Sequence, residues 1–145
     1  MAVFTIKSEE HITRSNLKDL FYFLADFKNF AAILPQDKVQ NFVYSENECS
    51  FHIKGITPMT VRLKEKIPYS TILFTSDGLG KFNFKLKAEF IGASDEVGSC
   101  RVELEGELNP IIKNMVEKPL SALVNTMSQR LSELNLTEHY DEQSD

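Results

Sequence analysis

Hydrophobic and polar residues alternate along most of the chain between residues 39 and 108, and short polar stretches separate the alternating segments. A period of two is typical of strands that bury one face. The pattern predicts strands over residues 3–12, 39–45, 49–56, 59–67, 71–76, 82–91 and 100–108. Because the connections are short, we expect one antiparallel sheet. One face of this sheet is polar on nearly every strand, and the other is apolar and must be covered.

Two short helices are predicted between the first and second strands. Leucine and phenylalanine residues recur at helical spacing behind Ser15, which we expect to be the N-cap because its hydroxyl can accept a bond from a free backbone N–H. Asp26 is the expected cap of a second short helix, which Pro35 ends.

The last predicted helix is long. Asn109 is a suitable N-cap and Pro110 a suitable first residue, and apolar residues then recur every three or four positions to Leu134. Pro119 removes one backbone hydrogen bond inside this helix, so we expect a bend there. Residues 1–135 are predicted to form one α+β domain, with a curved antiparallel sheet of about seven strands wrapped around the C-terminal helix. Residues 136–145 are predicted to be an acidic, flexible tail.

This layout, together with several local segments, resembles a known superfamily. The segments are SNLKDLFYFLADF at residues 15–27, Asn29-Phe30, Leu34-Pro35 and Lys118-Pro119-Leu120. They are similar to segments of the START, birch-allergen (Bet v 1) and polyketide-cyclase-like superfamily, often called SRPBCC, whose fold is the helix-grip. The resemblance extends over residues 3–135. It implies the fold and an apolar ligand such as a lipid, sterol, quinone or polyketide, but it does not select one of these.

Charge and composition exclude several classes of partner. The net charge of −5 argues against binding to nucleic acid and against attachment to anionic membranes. The apolar stretches are much shorter than the ~20 residues that span a bilayer, and the first residues lack the features of a signal peptide. We therefore predict a cytoplasmic protein with no nucleic acid partner and no membrane insertion. The eleven phenylalanines are enough to line a cavity or to fill a core.

Cysteine and histidine residues show no spacing that indicates a metal site or a catalytic motif. Cys49 and Cys100 are predicted to be small buried apolar residues. His11, His52 and His139 are predicted to be solvated surface residues. We predict no metal and no cofactor.

Two polar residues fall on the apolar phase of their strands. Glu65 shares a phase with Val61 and Leu63, so strict alternation points it inward, where a carboxylate is costly unless it is paired. It would then orient a ligand hydroxyl or act as an acid; alternatively, it lies at a bulge or at the cavity mouth and is hydrated. Ser76 shares a phase with Phe74, and it either contacts a ligand or simply ends its strand.

Three functions are compatible with these patterns. The first is a binding module that holds a small hydrophobic or amphipathic ligand between the sheet and the C-terminal helix. The second is an enzyme of the cyclase or dehydratase type that uses a polar residue of the cavity such as Glu65, with Ser76 as the other candidate. The third is a co-chaperone or assembly-type interaction protein whose cavity is collapsed. The predicted cavity residues are Phe51, Ile53, Val61, Leu63, Glu65, Phe74, Ser76, Phe84, Leu86, Val102, Leu104, Met115, Leu123 and Met127.

Overall fold

The structure is a computed structural model that describes residues 2–54, 58–78 and 82–136. The described residues form eight strands, two α-helices and one 3₁₀ helix. In chain order the elements are β1 (Ala2–Lys7), β2 (His11–Ile12), α1 (Leu17–Leu24), the 3₁₀ helix (Phe27–Ile33), β3 (Val39–Tyr44), β4 (Glu48–Ile53), β5 (Met59–Ile67), β6 (Thr71–Gly78), β7 (Phe82–Ile91), β8 (Ser99–Leu108) and α2 (Pro110–Glu133).

The strands form one curved antiparallel sheet, as the alternation predicts. Its order is β1-β8-β7-β6-β5-β4-β3, and β2 pairs with the other end of β8. Successive strands from β3 to β8 are neighbours, so this part of the sheet is a meander. The strand predicted over residues 49–56 ends at Ile53, and its positions 55 and 56 lie outside the described residues.

The first predicted strand is split in two by one extra residue. Lys7 pairs with Glu103 and His11 with Cys100, so four steps along the N-terminal segment match three steps along β8. Ser8 fills this irregularity, because its hydroxyl accepts from the Val102 N–H at 2.9 Å and donates to the Glu9 carbonyl at 2.8 Å. The backbone groups freed by the bulge therefore keep partners.

Two of the three predicted helix caps are confirmed. Asp26 accepts from the Lys28 N–H, and Asn109 accepts from the Ile111 N–H at 2.8 Å, with Pro110 at the first helical position. Ser15 as the cap of α1 is wrong. Asn16 caps α1 by accepting from the Asp19 N–H at 2.8 Å.

The core lies between the helices and one side of the sheet, which we call the concave face. This face carries the buried side chains of Phe51, Val61, Phe74, Leu86 and Leu104. The opposite side is the outer face. α2 lies mainly against β8, β1 and the 3₁₀ helix. It buries a stripe that consists of Val116, Leu120, Leu123, Val124, Met127, Ser128, Leu131 and Ser132.

The packed region extends one residue beyond the boundary that the sequence predicts. Leu136 is buried, and its N–H donates to the Ser15 hydroxyl at 2.7 Å. The same hydroxyl donates to the Leu134 carbonyl at 2.6 Å. Residues 137–145, including His139, lie outside the described residues.

Candidate functional site

The concave face brings together most of the residues that the alternation predicts to be internal. The residues of this set that are buried are Phe51, Ile53, Val61, Phe74, Ser76, Phe84, Leu86, Val102, Leu104, Leu123 and Met127. Leu63 is half-buried and packs against the same core. Nine of the buried residues lie on β4 to β8 and two lie on α2, and all of the apolar ones belong to one hydrophobic core.

The inward placement of Glu65 is wrong. Leu63 pairs with Phe74 and Glu65 pairs with Leu73, so two steps along β5 match one step along β6. This bulge reverses the phase of the strand and puts Glu65 on the outer face, where it is exposed. The hydrated alternative for this carboxylate therefore agrees with the structure.

Met115 is also misplaced by the sequence pattern, because its side chain is 72% exposed. Successive helical residues are rotated by about 100°. Met115 directly precedes Val116, where the buried stripe of α2 begins, and therefore projects away from the core. Ile111 and Ile112 in the first turn are likewise exposed.

Aromatic rings fill the part of the interior that the 3₁₀ helix covers. The Phe30 ring lies 5.4 Å from the Phe74 ring and 6.3 Å from the Phe51 ring, measured between centroids. Phe27 packs against both Phe30 and Phe74 at 5.9 Å. These tilted and edge-on contacts are the preferred arrangements of aromatic pairs. They account for much of the phenylalanine content as core packing.

Ser76 differs from the other buried hydroxyls. It is 2% exposed and lies on the concave face, where it pairs with Val61 on β5 and with Phe84 on β7. Its Oγ has no hydrogen-bond partner among the described residues. A buried hydroxyl without a partner loses its bonds to water and gains none in return.

A polar seam joins the N-terminal segment to α2, and it was missed by the sequence pattern. Ser128 on α2 is fully buried, and its hydroxyl donates to the carbonyls of Glu9 and Cys100, both at 3.3 Å. His11 Nδ1 lies 2.9 Å from the same hydroxyl, so His11 is half-buried in the seam and is not a fully solvated residue. His52 is exposed, as predicted. The contacts of Ser128 with Glu9 and His11 join residues more than 110 positions apart, and no local pattern marks them.

Both thiols are buried and free, as predicted. Burial raises the pKa of Cys49 to about 12 and that of Cys100 to about 11, because the interior disfavours the thiolate. Since the thiolate is the nucleophile and the metal ligand, neither cysteine is suited to those roles.

The outer face is a mixed-charge surface. Lys87 Nζ lies 3.0 Å from one carboxylate oxygen of Glu103, and Lys7 Nζ lies 3.9 Å from the other. Arg101 pairs with Glu89 at 3.2 Å on the neighbouring rung. Among residues 2–54, 58–78 and 82–136, no group of three or more His, Cys, Asp or Glu side chains is placed to hold a metal ion.

An open groove of about 490 Å³ lies beside α2, outside the core. It is lined by Ala32, Thr126, Gln129, Arg130, Glu133 and Leu134. Its lining is mostly polar, so it differs in chemistry from the predicted apolar site. No helix in the described part of the chain is both long enough and apolar enough to cross a membrane.

Comparisons with known proteins agree with this geometry. No protein-family model matches the chain, and no curated protein sequence matches it. Norcoclaurine synthase from Thalictrum flavum superposes with a TM-score of 0.66 at 10% identity, over 96% of this chain and 97% of that one. A START superfamily protein from Mycobacterium smegmatis gives a TM-score of 0.60 at 10% identity, over 88% and 96%.

A third similar structure is the di-domain ARO/CYC StfQ from the steffimycin biosynthetic pathway. Its TM-score is 0.65 at 12% identity, over 90% of this chain and 49% of that one. Identities this low support a common fold and carry no residue roles. The chain therefore has the helix-grip fold of START, Bet v 1-like and polyketide-cyclase-like proteins.

Proposed function

We propose that this protein binds a small hydrophobic or amphipathic molecule between the concave face and α2. The observation that carries the proposal is the Ser76 hydroxyl, which lies in an otherwise apolar wall and has no partner in the part of the chain that the structure describes. Proteins of this fold supply further support. Norcoclaurine synthase has been solved in complex with dopamine and hydroxybenzaldehyde, and the ARO/CYC protein belongs to a biosynthetic pathway. We retain a cytoplasmic location and a single domain over residues 1–135 as part of this proposal.

Entry of a ligand requires a covering element to move. Phe84 and Leu86 are each only 4% exposed, so this part of the concave face is closed to solvent in the conformation described. The first turns of α2 are the element best suited to move. β8 ends at Leu108, two residues after Gly106, which pairs with Phe84. α2 therefore begins at the end of the sheet where Ser76 lies.

Pro119 follows these first turns of α2, in which Val116 is the only buried residue. Its nitrogen carries no hydrogen and cannot donate to the carbonyl of Met115. Before it, Ile111 and Met115 are more than two-thirds exposed; after it, Leu120 is fully buried. The segment over residues 110–118 is thus held by fewer contacts than the rest of the helix, which favours local opening.

Contact quenching of a single introduced tryptophan tests the proposal. The chain contains no tryptophan, so Phe84→Trp reports only on the concave face and Lys85→Trp, its neighbour on β7, only on the outer face. Titration with a brominated naphthalene is expected to quench Phe84→Trp with saturation and to leave Lys85→Trp unchanged. Equal, non-saturating quenching of both variants would contradict an interior site.

An enzyme that uses Glu65 is not supported, because this carboxylate is exposed on the outer face. The second candidate is an interaction protein, and the aromatic packing of Phe30 with Phe74 and Phe51 favours it. Its partner surface would be the edge strand β3, which has no charged residue and exposes Val43 and Tyr44 by 62% and 58%. A wild-type protein that admits no apolar probe would favour this candidate.

A further inference from the structure

Six polar side chains are buried among the described residues, and all six are hydroxyls. They are Ser8, Thr13, Ser15, Ser76, Ser128 and Ser132. Five of them bond to backbone groups, and these five lie in the N-terminal segment and in the facing side of α2. Ser76 is the exception in both respects, because it lies on β6 and its Oγ finds no partner within residues 2–54, 58–78 and 82–136. Its hydroxyl therefore has no evident role in holding these elements together.

The surroundings of Ser76 determine which chemical groups of a ligand can bind beside its hydroxyl. Its cross-strand neighbours on the concave face are Val61 and Phe84. The row next to it carries Arg62 on β5 and Lys85 on β7, and both side chains are exposed on the outer face. A charged ligand group beside Ser76 would lose its hydration without meeting an opposite charge among the described buried residues, none of which carries a charged side chain.

On the basis of the proposed function, we propose that Ser76 supplies the hydrogen bond by which the interior site selects an uncharged ligand that has an apolar body and one hydroxyl or carbonyl group. A serine hydroxyl both donates and accepts, so it can bond to either group. A purely apolar molecule leaves the Ser76 hydroxyl without a hydrogen bond. A carboxylate or ammonium ion binds weakly, because it loses its hydration and meets no opposite charge in the described part of the interior. The selection is therefore made by polarity and charge rather than by shape alone.

A titration of three naphthyl compounds, followed by NMR of the ¹⁵N-labelled full chain, separates these effects. The probes are naphthalene, 2-naphthol and 2-naphthoate, and the proteins are the wild type, Ser76→Ala and Thr75→Ala. Thr75 is the matched control because it is the next residue on β6 and lies on the outer face. In the wild type, 2-naphthol is expected to bind ~10-fold more tightly than naphthalene, as one neutral hydrogen bond predicts.

In Ser76→Ala this preference is expected to disappear while naphthalene binds as before, and Thr75→Ala should behave as the wild type does. 2-Naphthoate is expected to bind at least ~10-fold more weakly than 2-naphthol in the wild type, because its charge has no partner. Equal binding of naphthalene and 2-naphthol, or a preference that survives in Ser76→Ala, would overturn the assignment of Ser76 and leave the proposed function standing. Preferential binding of 2-naphthoate would overturn the selection for uncharged ligands. Failure of all three compounds to bind would overturn the proposed function itself.

Discussion

We expect two buried serines of this protein, Ser76 and Ser128, to have opposite effects on its stability. The Ser76 hydroxyl has no partner among the described residues, so replacing it with a hydrogen removes an unsatisfied group. We expect Ser76→Ala to raise the free energy of unfolding by about 1 kcal/mol, since burial of an unpaired hydroxyl costs at least this much. Urea unfolding followed by circular dichroism measures the change. A loss of stability in Ser76→Ala would indicate that the hydroxyl already has a partner in solution.

Ser128→Ala is the matched control, because it makes the same chemical change at a paired position. It removes the donor to the carbonyls of Glu9 and Cys100 and leaves both carbonyls, together with His11 Nδ1, without this partner. We expect it to lower the free energy of unfolding by about 1–3 kcal/mol. The opposite signs of the two serine variants distinguish the hydrogen-bond effect from a general response to the loss of an oxygen.

Residue by residue, the sequence predicts burial well where alternation is regular and fails where pairing is irregular. Leu86 and Leu104 face each other on regular strands, and their burial is confirmed. Glu65 follows a bulge, which depends on how β5 meets β6 and leaves no mark in the sequence of β5 alone. Ser15 is an equally good cap by composition, but its hydroxyl bonds to Leu134 and Leu136, more than 115 positions away.

At the scale of elements, the first turns of α2 are mostly exposed and the later turns are packed against the core, and Pro119 lies close to the change, three residues after the first buried residue, Val116. Pro119→Ala restores an N–H that can donate to the Met115 carbonyl, and alanine is the best helix former. We expect this variant to raise the free energy of unfolding by about 1–3 kcal/mol. Hydrogen exchange over residues 111–118 should also slow, because these amides are no longer released at a weak point of the helix.

Lys118→Ala serves as the control for Pro119→Ala, because Lys118 is exposed and has a normal backbone N–H. Its effect should stay within about 0.5 kcal/mol, as is usual for surface substitutions. If Pro119→Ala instead destabilised the protein, packing of the half-buried proline ring would stabilise the folded state by more than the missing hydrogen bond destabilises the helix. In that case the first turns of α2 would not be a preferred place of opening.

The existence and order of the elements follow from the sequence, whereas the orientation of α2 does not. Asn109 and Pro110 mark its start by local chemistry, and the apolar repeat marks its length. Its buried stripe, however, includes Ser128 and Ser132, because these small side chains meet the N-terminal segment. A prediction based on apolar residues alone therefore orients the helix with Met115 toward the core, whereas the structure leaves Met115 exposed.

At the scale of the whole molecule, the alternation and the long helix are enough to indicate the helix-grip fold, and solved structures of that fold superpose over most of the chain. Whether the interior is filled does not follow from the same pattern. Eleven phenylalanines satisfy the composition of a lined cavity and of a packed core equally well. A lined cavity and a packed core are distinguished only by the positions of the rings. The 3₁₀ helix and β6 set these positions for rings such as Phe30 and Phe74.

Burial of the two thiols in the core also affects how the free energy of unfolding changes at alkaline pH. Burial raises the pKa of Cys49 to about 12 and that of Cys100 to about 11, from an ordinary value of 9.0. The unfolded chain thus loses thiol protons at a lower pH than the folded chain. The thiols stabilise the folded state fully below pH 9, and this contribution falls as the pH rises toward 11 or 12.

We therefore expect the free energy of unfolding to fall between pH 9 and pH 11, by up to ~1.4 kcal/mol per pH unit for each thiol. Urea unfolding at a series of pH values measures this slope. Lysines also titrate in this range, so the combined variant Cys49→Ala and Cys100→Ala is the necessary control. The control should be less stable at pH 7, because it lacks two buried sulfur atoms, and its stability should depend less on pH above 9. Equal slopes for the wild type and the double variant would mean that the thiols ionise in the folded state, and hence that the core admits water around them.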